Sequence, residues 1–254
     1  MSVTVHIGSG AVKLEAPLTP QANARECHVP RPPFLRPAPP GECNARLTSI
    51  HKTRKPTMPG KKILMLTGEF TEEYEIFVYQ QAMEAVGHIV HVVCPDKNAG
   101  DLIKTSLHDF EGDQTYTEKP GHYALMNKTF SEAEKQLDQY HAVYCAGGRG
   151  PEYIRTDKRV QAIVRHFHEN KKPIFTICHG VQILIAVDGV VRGKKVGALA
   201  ACEPEVTLAG GTYIDLSPTE AYVDGTMVSA KGWTALAAFI RECLKVLGTE
   251  IRHN

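Results

Sequence analysis

The sequence predicts a single α/β domain in which helices cover both faces of a doubly wound, mostly parallel β-sheet. Short apolar, β-branched runs alternate with segments of helical spacing from Lys61 onward, which is typical of parallel sheets with crossover helices. A chain of 254 residues with 43% hydrophobic residues can bury one sizeable core. Segments that contain glutamate, paired glycines or cysteine follow three of the predicted strands, and ligands of such sheets bind at these strand ends.

The first half of the predicted domain contains a strand, a helix and a second strand. Lys62 to Leu66 is an apolar strand, and Glu73 to Val86 has helical spacing and ends at Gly87, a helix-terminating glycine. His88 to Val93 is the second strand. Residues 96–122 follow; they are polar with little periodicity, and no element is assigned to them.

The second half continues the alternation and ends in a hairpin and a helix. The spacing predicts, in order, a helix over Phe130 to Tyr140, a strand over Ala142 to Ala146, a helix over Pro151 to Asn170, a strand over Ile174 to Ile177 and a helix over Val181 to Ala186. Asp224-Gly225-Thr226 between two apolar runs predicts a hairpin, and an amphipathic helix over Thr234 to Leu247 closes at Gly248.

Residues 1–57 differ in composition from the rest of the chain. Ten of the sixteen prolines fall in residues 1–60, and the segment is basic and lacks apolar periodicity. We therefore expect residues 1–57 to be a disordered extension and residues 58–254 to be the folded domain. Two interpretations of the extension stay open. It resembles an organellar targeting peptide in being acid-poor, though without a clear amphipathic helix, or Met58 is the true start of the protein.

Composition and charge argue against several classes of partner. The net charge is +1, but the positive excess lies in residues 1–57, so the predicted domain is mildly acidic, which argues against nucleic acid as a partner. No apolar run approaches the length of a membrane span. The seven cysteines show neither a Cys-x-x-Cys pair nor a zinc-type spacing, so we expect reduced thiols, no metal and a cytoplasmic location.

The most informative segment is Pro-Ile-Phe-Thr-Ile-Cys-His-Gly, residues 173–180. A buried strand that turns into a helix at Cys178 forms a nucleophile elbow, in which Gly180 leaves room for the tight turn. The N–H groups at the start of that helix favour the reactive thiolate. We therefore predict that Cys178 is a nucleophile rather than an inert buried cysteine.

A nucleophile also needs a proton carrier and an oxyanion site. Gly147 and Gly148 end a predicted strand and offer backbone N–H groups for an oxyanion. His179 adjoins Cys178, but neighbouring helical residues diverge by about 100°, so its side chain need not face the sulfur. Glutamates at two helix starts are candidate proton carriers that sequence alone barely separates: Glu69, Glu72, Glu73, Glu75 and Glu152.

These residues resemble the ThiJ/PfpI superfamily, also called the DJ-one superfamily. The resemblance is carried by Gly147-Gly148-Arg149-Gly150-Pro151-Glu152-Tyr153, by Ile177-Cys178-His179-Gly180, by the glutamates after the first strand and by Val223-Asp224-Gly225, in the expected order over nearly all of 61–254. The segment from His108 to Tyr116 is similar to the plant branch, whose members have two such domains in tandem and are described as glutathione-independent glyoxalases.

The resemblance implies a flavodoxin-like fold related to class I glutamine amidotransferases and a set of site roles. It assigns the nucleophile to Cys178, a hydrogen bond to the sulfur to Glu75, and the oxyanion site to Gly148 and the backbone of His179. Glu152 matches an acid that approaches His179 from a neighbouring subunit in the PfpI-type proteases. The chain has Ala146 where relatives usually have proline, and Gly150 where many have alanine. These differences affect only the stiffness of the loop.

The resemblance further implies a function. We expect a glyoxalase III-type lyase that converts methylglyoxal or glyoxal into lactate or glycolate without glutathione and that works as a homodimer or higher homo-oligomer. Protein deglycation is an additional activity that the resemblance leaves open. No metal or organic cofactor is expected, because the thiol supplies the covalent chemistry. Three alternatives stay open: a PfpI-like cysteine peptidase or amidase, a chaperone, and a redox-sensing stress protein.

Overall fold

The computed structural model describes residues 60–251. The predictions for residues 1–57, a disordered extension with a targeting role, lie outside the described residues. The strands are β1 (Lys62–Leu66), β2 (Thr71–Glu72), β3 (Ile89–Val93), β4 (Leu102–Asp109), β5 (Thr117–Leu125), β6 (Ala142–Cys145), β7 (Ile174–Ile177), β8 (Lys195–Val196), β9 (Thr212–Tyr213), β10 (Ala221–Asp224) and β11 (Met227–Ala230). The α-helices are α1 (Glu73–Ala85), α2 (Phe130–Ala133), α3 (Gly150–Ile154), α4 (Lys158–Glu169), α5 (Val181–Ile185), α6 (Glu203–Leu208) and α7 (Leu236–Val246).

The main sheet has six strands in the order β10-β11-β7-β6-β1-β3. All neighbours are parallel except β10, which pairs antiparallel with β11. The strands β6, β7 and β11 are buried along their whole length, as expected for parallel strands covered on both faces. The predicted doubly wound fold class and the predicted β10–β11 hairpin are therefore confirmed.

Two hydrophobic clusters lie on opposite faces of this sheet. Alternate residues of β1 point to opposite sides: Ile63 and Met65 belong to one cluster, and Leu64 and Leu66 belong to the other. Residues of α1 and α7 complete the first cluster, and residues of α4 and α5 complete the second. Burial of these apolar side chains on both faces fixes the sheet and thereby the position of its carboxyl edge.

A second, three-stranded sheet was not predicted. Residues 102–125 form the antiparallel pair β4–β5, and β2 joins it in the order β2-β4-β5. The sequence interpretation assigned no element to 96–122, which is wrong for most of that stretch. β5 is largely exposed and therefore lacks an apolar pattern, and β2 is two residues long, so the sheet rests on pairings distant in sequence.

Two predicted helices are interrupted. The helix predicted over Pro151 to Asn170 is split into α3 and α4, because Asp157 has an extended backbone and its side chain accepts a 2.8 Å hydrogen bond from Arg159 N as the cap of α4. The helix predicted over Phe130 to Tyr140 is one short α-turn followed by a 3₁₀ segment that kinks at Gln136. The short elements α6, β8 and β9 were not predicted at all.

No helix within residues 60–251 combines the length and apolarity needed to cross a membrane.

Candidate active site

The elbow after β7 places Cys178 at the carboxyl edge of the main sheet. Cys178 has φ +56°, a left-handed conformation that is strained for a residue with a side chain and typical of functional turns. At Gly180, a Cβ atom would lie 2.1 Å from the carbonyl oxygen of Cys145, so only glycine lets the turn pack against β6. Cys178 is the one cysteine of the described residues that is not fully buried.

Glu75 lies in the first turn of α1 with a completely buried side chain. Its Oε2 accepts a 2.6 Å hydrogen bond from the backbone N–H of Gly147. A Cβ atom built on Gly147 would lie 2.7 Å from Glu75 Oε2 and 2.5 Å from Cys178 Cβ, so this glycine occupies the space between carboxyl and thiol. The other oxygen, Oε1, is buried and has no hydrogen-bond partner of ordinary geometry.

The negative charge of Glu75 hinders ionisation of the Cys178 thiol, whereas the thiol favours ionisation of Glu75. Complete burial raises the pKa of Glu75 well above its usual range; Glu72 raises it further, and Gly147 N–H and the Cys178 thiol lower it. Burial also raises the pKa of Cys178, the negative charge of Glu75 adds to the effect, and the N–H groups of Gly148 and His179 lower it. The N–H groups at the elbow thus favour the thiolate, but burial and the charge of Glu75 act against it and outweigh them. A thiolate here requires Glu75 to hold the remaining proton, because two adjacent buried charges are unfavourable.

The side chain of His179 faces the Cys178 sulfur, although neighbouring residues at a helix start need not face each other. Its Nδ1 lies 3.5 Å from Cys178 Sγ. Burial lowers the pKa of His179 to about 4, so the imidazole is neutral at physiological pH. A neutral ring of such low pKa orients the sulfur but is a poor proton carrier at pH 7, which leaves that role to Glu75.

The N–H groups that face the sulfur come from Gly148 and His179. Gly148 has φ +72°, and a Cβ atom there would lie 2.3 Å from the backbone nitrogen of Glu72, so a side chain would push β2 away. Gly147 was also predicted to contribute to the oxyanion site, but its N–H is already bound to Glu75. Gly147 therefore holds the carboxyl, and the oxyanion donors that remain are Gly148 and His179.

Glu152 lies in the first turn of α3 beside the site but does not hydrogen-bond His179. Its carboxylate pairs with Arg149 of the same chain, with 3.0 Å between Glu152 Oε1 and Arg149 Nε. Its negative charge still reaches His179, whose pKa it raises against the effect of burial. The predicted role of Glu152 across a subunit interface stays a prediction.

The elbow opens into a cavity of about 410 Å³. The residues around it come from the elbow, from the β4–β5 hairpin and from the segments before α6 and α7: Glu72, His108, Phe110, Tyr116, Gly148, Cys178, His179, Leu199, Ala200, Pro218, Lys231, Gly232, Trp233 and Thr234. Sequence reasoning gave no site role to the wall residues from the hairpin. The one available signal for this wall was the similarity of residues 108–116 to the plant branch of the superfamily.

A row of alternating charges ties the hairpin to the site. The buried Glu72 accepts hydrogen bonds on Oε2 from His108 N and, at 2.7 Å, from His108 Nδ1. On the other side of the ring, His108 Nε2 lies 3.0 Å from Glu118 Oε2, and Glu118 lies 3.9 Å from Arg149. Burial lowers the pKa of His108, but the bonds and charges of Glu72 and Glu118 outweigh this and raise it, which favours the imidazolium.

Within residues 60–251, no group of three or more His, Cys, Asp or Glu side chains is arranged to hold a metal ion. The groups that converge on the cavity are a thiol, a protonatable carboxyl, a neutral imidazole and backbone donors. This set suits covalent addition of a sulfur nucleophile to a carbonyl, with proton transfer by the carboxyl.

The chain is similar to known proteins in sequence and in fold. The chain is 40% identical over 198 residues to Protein DJ-1 homolog D of Arabidopsis thaliana, covering 78% of this chain and 50% of that protein. It is 31% identical over 189 residues to Protein/nucleic acid deglycase 2 of Escherichia coli, covering 74% and 98%. The chain thus spans half the length of the plant relative and nearly the whole of the bacterial one.

A solved two-domain protein from Anabaena variabilis, with DJ-1/ThiJ/PfpI-like and ferritin-like domains, superposes with a TM-score of 0.62. Its sequence identity is 24%, over 76% of this chain and 52% of that one, so it supports the fold alone. The profile of the DJ-1/PfpI family matches residues 61–246, which contain the elbow, Glu75 and the paired glycines. Sequence and fold thus agree that the chain belongs to the DJ-1/PfpI family, whose relatives named above include a deglycase.

Proposed function

We propose that the protein is a glutathione-independent glyoxalase that converts small 1,2-dicarbonyl compounds such as methylglyoxal into the corresponding hydroxy acids. The observation that carries the proposal is the pairing of Cys178, which lines the cavity, with the buried carboxyl of Glu75. Burial raises the pKa of both groups, which favours retention of a proton within the pair. A glyoxalase needs a sulfur nucleophile and a mobile proton side by side.

The first step is the addition of the Cys178 sulfur to the aldehyde carbon. A carbon–sulfur bond forms, the carbonyl oxygen gains negative charge near the N–H groups of Gly148 and His179, and Glu75 protonates it to give a hemithioacetal. Glu75 is left as a carboxylate. Because burial raises its pKa, this carboxylate is a stronger base than an exposed one.

The second step moves hydrogen between the two carbons. Glu75 removes the proton from the former aldehyde carbon to give an enediol, and a proton returns to the neighbouring carbon, which leaves a thioester of the hydroxy acid on Cys178. One carbon is oxidised and the other reduced by the same amount, so no external oxidant is consumed. Water then cleaves the thioester, releases the acid and restores the thiol.

Lactate formation from methylglyoxal in the absence of glutathione tests the proposal. We expect turnover by the wild type and none by Cys178→Ala. Glu75→Gln should lose about 10²–10⁴-fold in kcat, the range for a lost acid–base group. Glu73→Gln is the matched control, because Glu73 lies on the same turn but binds His122 of the hairpin. Undiminished lactate formation by Cys178→Ala, or an equal loss in Glu73→Gln, would contradict the mechanism.

Deglycation is a second candidate, favoured by the open mouth of the cavity, where Phe110 is 64% exposed. An adduct of methylglyoxal on a protein side chain carries the same carbonyl chemistry on a larger group. Loss of such an adduct faster than free methylglyoxal is consumed would distinguish deglycation from scavenging. Cleavage of peptides would support the peptidase alternative, and peroxide-dependent oxidation of Cys178 without turnover would support the redox-sensor alternative.

A further inference from the structure

The polar groups of the cavity wall are largely occupied by one another. Both ring nitrogens of His108 are bound, at 2.7 Å to Glu72 and 3.0 Å to Glu118. Lys231 Nζ lies 2.7 Å from Asp215 Oδ1. Thr234 Oγ1 donates to the carbonyl of Pro218. The unsatisfied reactive groups are therefore concentrated at the elbow, around Cys178.

The remaining wall is aromatic and apolar. A row of rings leads from the elbow outward: the His179 and Tyr116 centroids are 5.7 Å apart, and those of Tyr116 and Phe110 are 6.3 Å apart, both edge to face. On the opposite element, Trp233 donates its Nε1–H to the carbonyl of His108 at 2.9 Å. This bond fixes the indole and satisfies its polar atom, so that the ring contributes apolar surface to the cavity.

The size of the cavity exceeds what methylglyoxal needs. Its volume of about 410 Å³ lies in the range of roughly 300–1,000 Å³ that is typical of pockets for drug-sized ligands. A three-carbon dicarbonyl on Cys178 would leave the aromatic row in contact with water. An unused apolar wall next to a reactive centre indicates a substrate with an apolar substituent.

We propose that the preferred substrates are 1,2-dicarbonyls with an aryl substituent, bound with the aldehyde on Cys178 and the ring along Tyr116, Phe110 and Trp233. This inference rests on the proposed glyoxalase function and deepens it. Offset and edge-to-face contacts with these three rings favour a planar substituent, and its burial removes apolar area from water. The reaction is balanced as before, with an aryl hydroxy acid as product.

The kinetic test compares phenylglyoxal with methylglyoxal. We expect kcat/KM for phenylglyoxal to be higher by at least about tenfold, the discrimination that one additional buried methylene gives. In Phe110→Ala the ratio of the two kcat/KM values should fall by about 3–10-fold, as expected for the loss of one aromatic contact. Comparing ratios between variants cancels the difference in intrinsic reactivity of the two aldehydes.

Tyr123→Ala is the matched control, because Tyr123 is an exposed ring on the same hairpin, 61% accessible, that does not line the cavity. Its ratio should equal that of the wild type. Turnover of methylglyoxal with no preference for phenylglyoxal overturns the inference and leaves the proposed function standing. A preference that survives in Phe110→Ala also overturns it, because the aromatic row would then not be its cause.

A binding test separates the pocket from the chemistry. Trp233 is the only tryptophan of the chain, so its fluorescence reports occupancy of the cavity. We expect mandelate, an aryl hydroxy acid, to bind at least about tenfold more tightly than lactate, for the same burial of apolar area. Equal affinities overturn the inference. Absence of turnover with both aldehydes, together with tight mandelate binding, would place the failure in the proposed function and not in the aryl pocket.

Discussion

Four glutamates follow the first strand, and the structure gives each carboxylate a different partner. Glu69 accepts a hydrogen bond from Lys104 N, Glu72 binds His108, and Glu73 binds His122. Only Glu75 is directed at the elbow, through Gly147 N–H and the Cys178 thiol. Identical side chains thus take structural or chemical roles according to which wall of the fold they face.

The buried Glu75 carboxyl should make stability depend on pH, and the Cys178→Ala background isolates it from the thiol. Burial raises the pKa of Glu75 in the folded state above the usual value of 4.5. A group with a raised folded-state pKa stabilises the protein below its unfolded pKa, and this contribution is lost as pH rises toward the folded pKa. From about pH 4.5 upward, Cys178→Ala should lose stability relative to Cys178→Ala/Glu75→Gln, by about 1.4 kcal/mol per pH unit until Glu75 ionises.

Urea unfolding of the two variants between pH 4 and pH 8 measures this difference. Parallel curves across the range would show that Glu75 ionises at its ordinary value and is no proton carrier. The comparison is internal to one background, so groups common to both variants cancel.

At the scale of elements, the β4–β5 hairpin forms one wall of the cavity and is anchored to the rest of the domain at several points. β2 pairs with β4, Trp233 donates to the carbonyl of His108, and His108 is clamped between Glu72 and Glu118. The clamp is the one fully buried charge pair among these contacts, because Glu72 has only 2% of its side-chain surface exposed. Its strength decides how firmly the wall is held over Cys178.

Removal of the clamp should destabilise the protein more at low pH than at high pH. His108→Gln removes the cationic partner of the buried Glu72 carboxylate and leaves it only backbone N–H donors, for which we expect a loss of about 3–5 kcal/mol. The pKa of His108 is raised above its usual value of 6.5, so its contribution is complete below that value and declines as pH rises through the folded pKa. Unfolding free energies at pH 6 and pH 9 measure the effect.

His122→Gln serves as the control for that measurement. His122 lies on the same hairpin and pairs with Glu73, but 85% of its side chain is exposed, so we expect a change below about 1 kcal/mol. A loss in His108→Gln that is equally large at pH 9 and at pH 6 would show that the ring acts by packing and not by charge.

At the scale of the whole molecule, the composition of residues 1–57 predicts that they are dispensable for folding and catalysis. They are rich in proline and lack apolar periodicity, so they offer few side chains that could add to a core. We therefore expect a chain that begins at Met58 to keep the melting temperature and the lactate-forming activity of the full chain. A fall of several degrees on truncation would show that residues 1–57 contribute to the fold.

Assembly with a second copy of the chain stays a prediction. Two-fold pairing is the commonest form of self-association among soluble proteins. We expect light scattering to give at least twice the chain mass of 27.9 kDa. If Glu152 acts across that interface, turnover should be lower in Glu152→Gln than in the wild type. It should also be lower when the wild-type protein is monomeric. A fully active monomer would confine Glu152 to its own chain.

The sequence by itself determined the parts of this protein whose physical cause is local. Buried parallel strands are short runs of apolar residues, so β1, β6 and β7 were predictable within a residue or two. The turn at Cys178 needs a glycine close behind the nucleophile, and Gly180 stands there. The resemblance to a family rests on the same segments, because the local backbone geometry and the chemistry of the site both depend on their residues.

Only the tertiary structure decided which groups meet. The hairpin of β4 and β5 is half exposed and carries no strong apolar period, so its pairing with β2 and its place over Cys178 depend on contacts between residues far apart in the chain. The same holds for the choice of Glu75 over its neighbours and for the raised pKa of the thiol, since both result from burial. The burial of a side chain depends on the packing of the whole molecule, whereas a short segment of sequence specifies only which residue is buried.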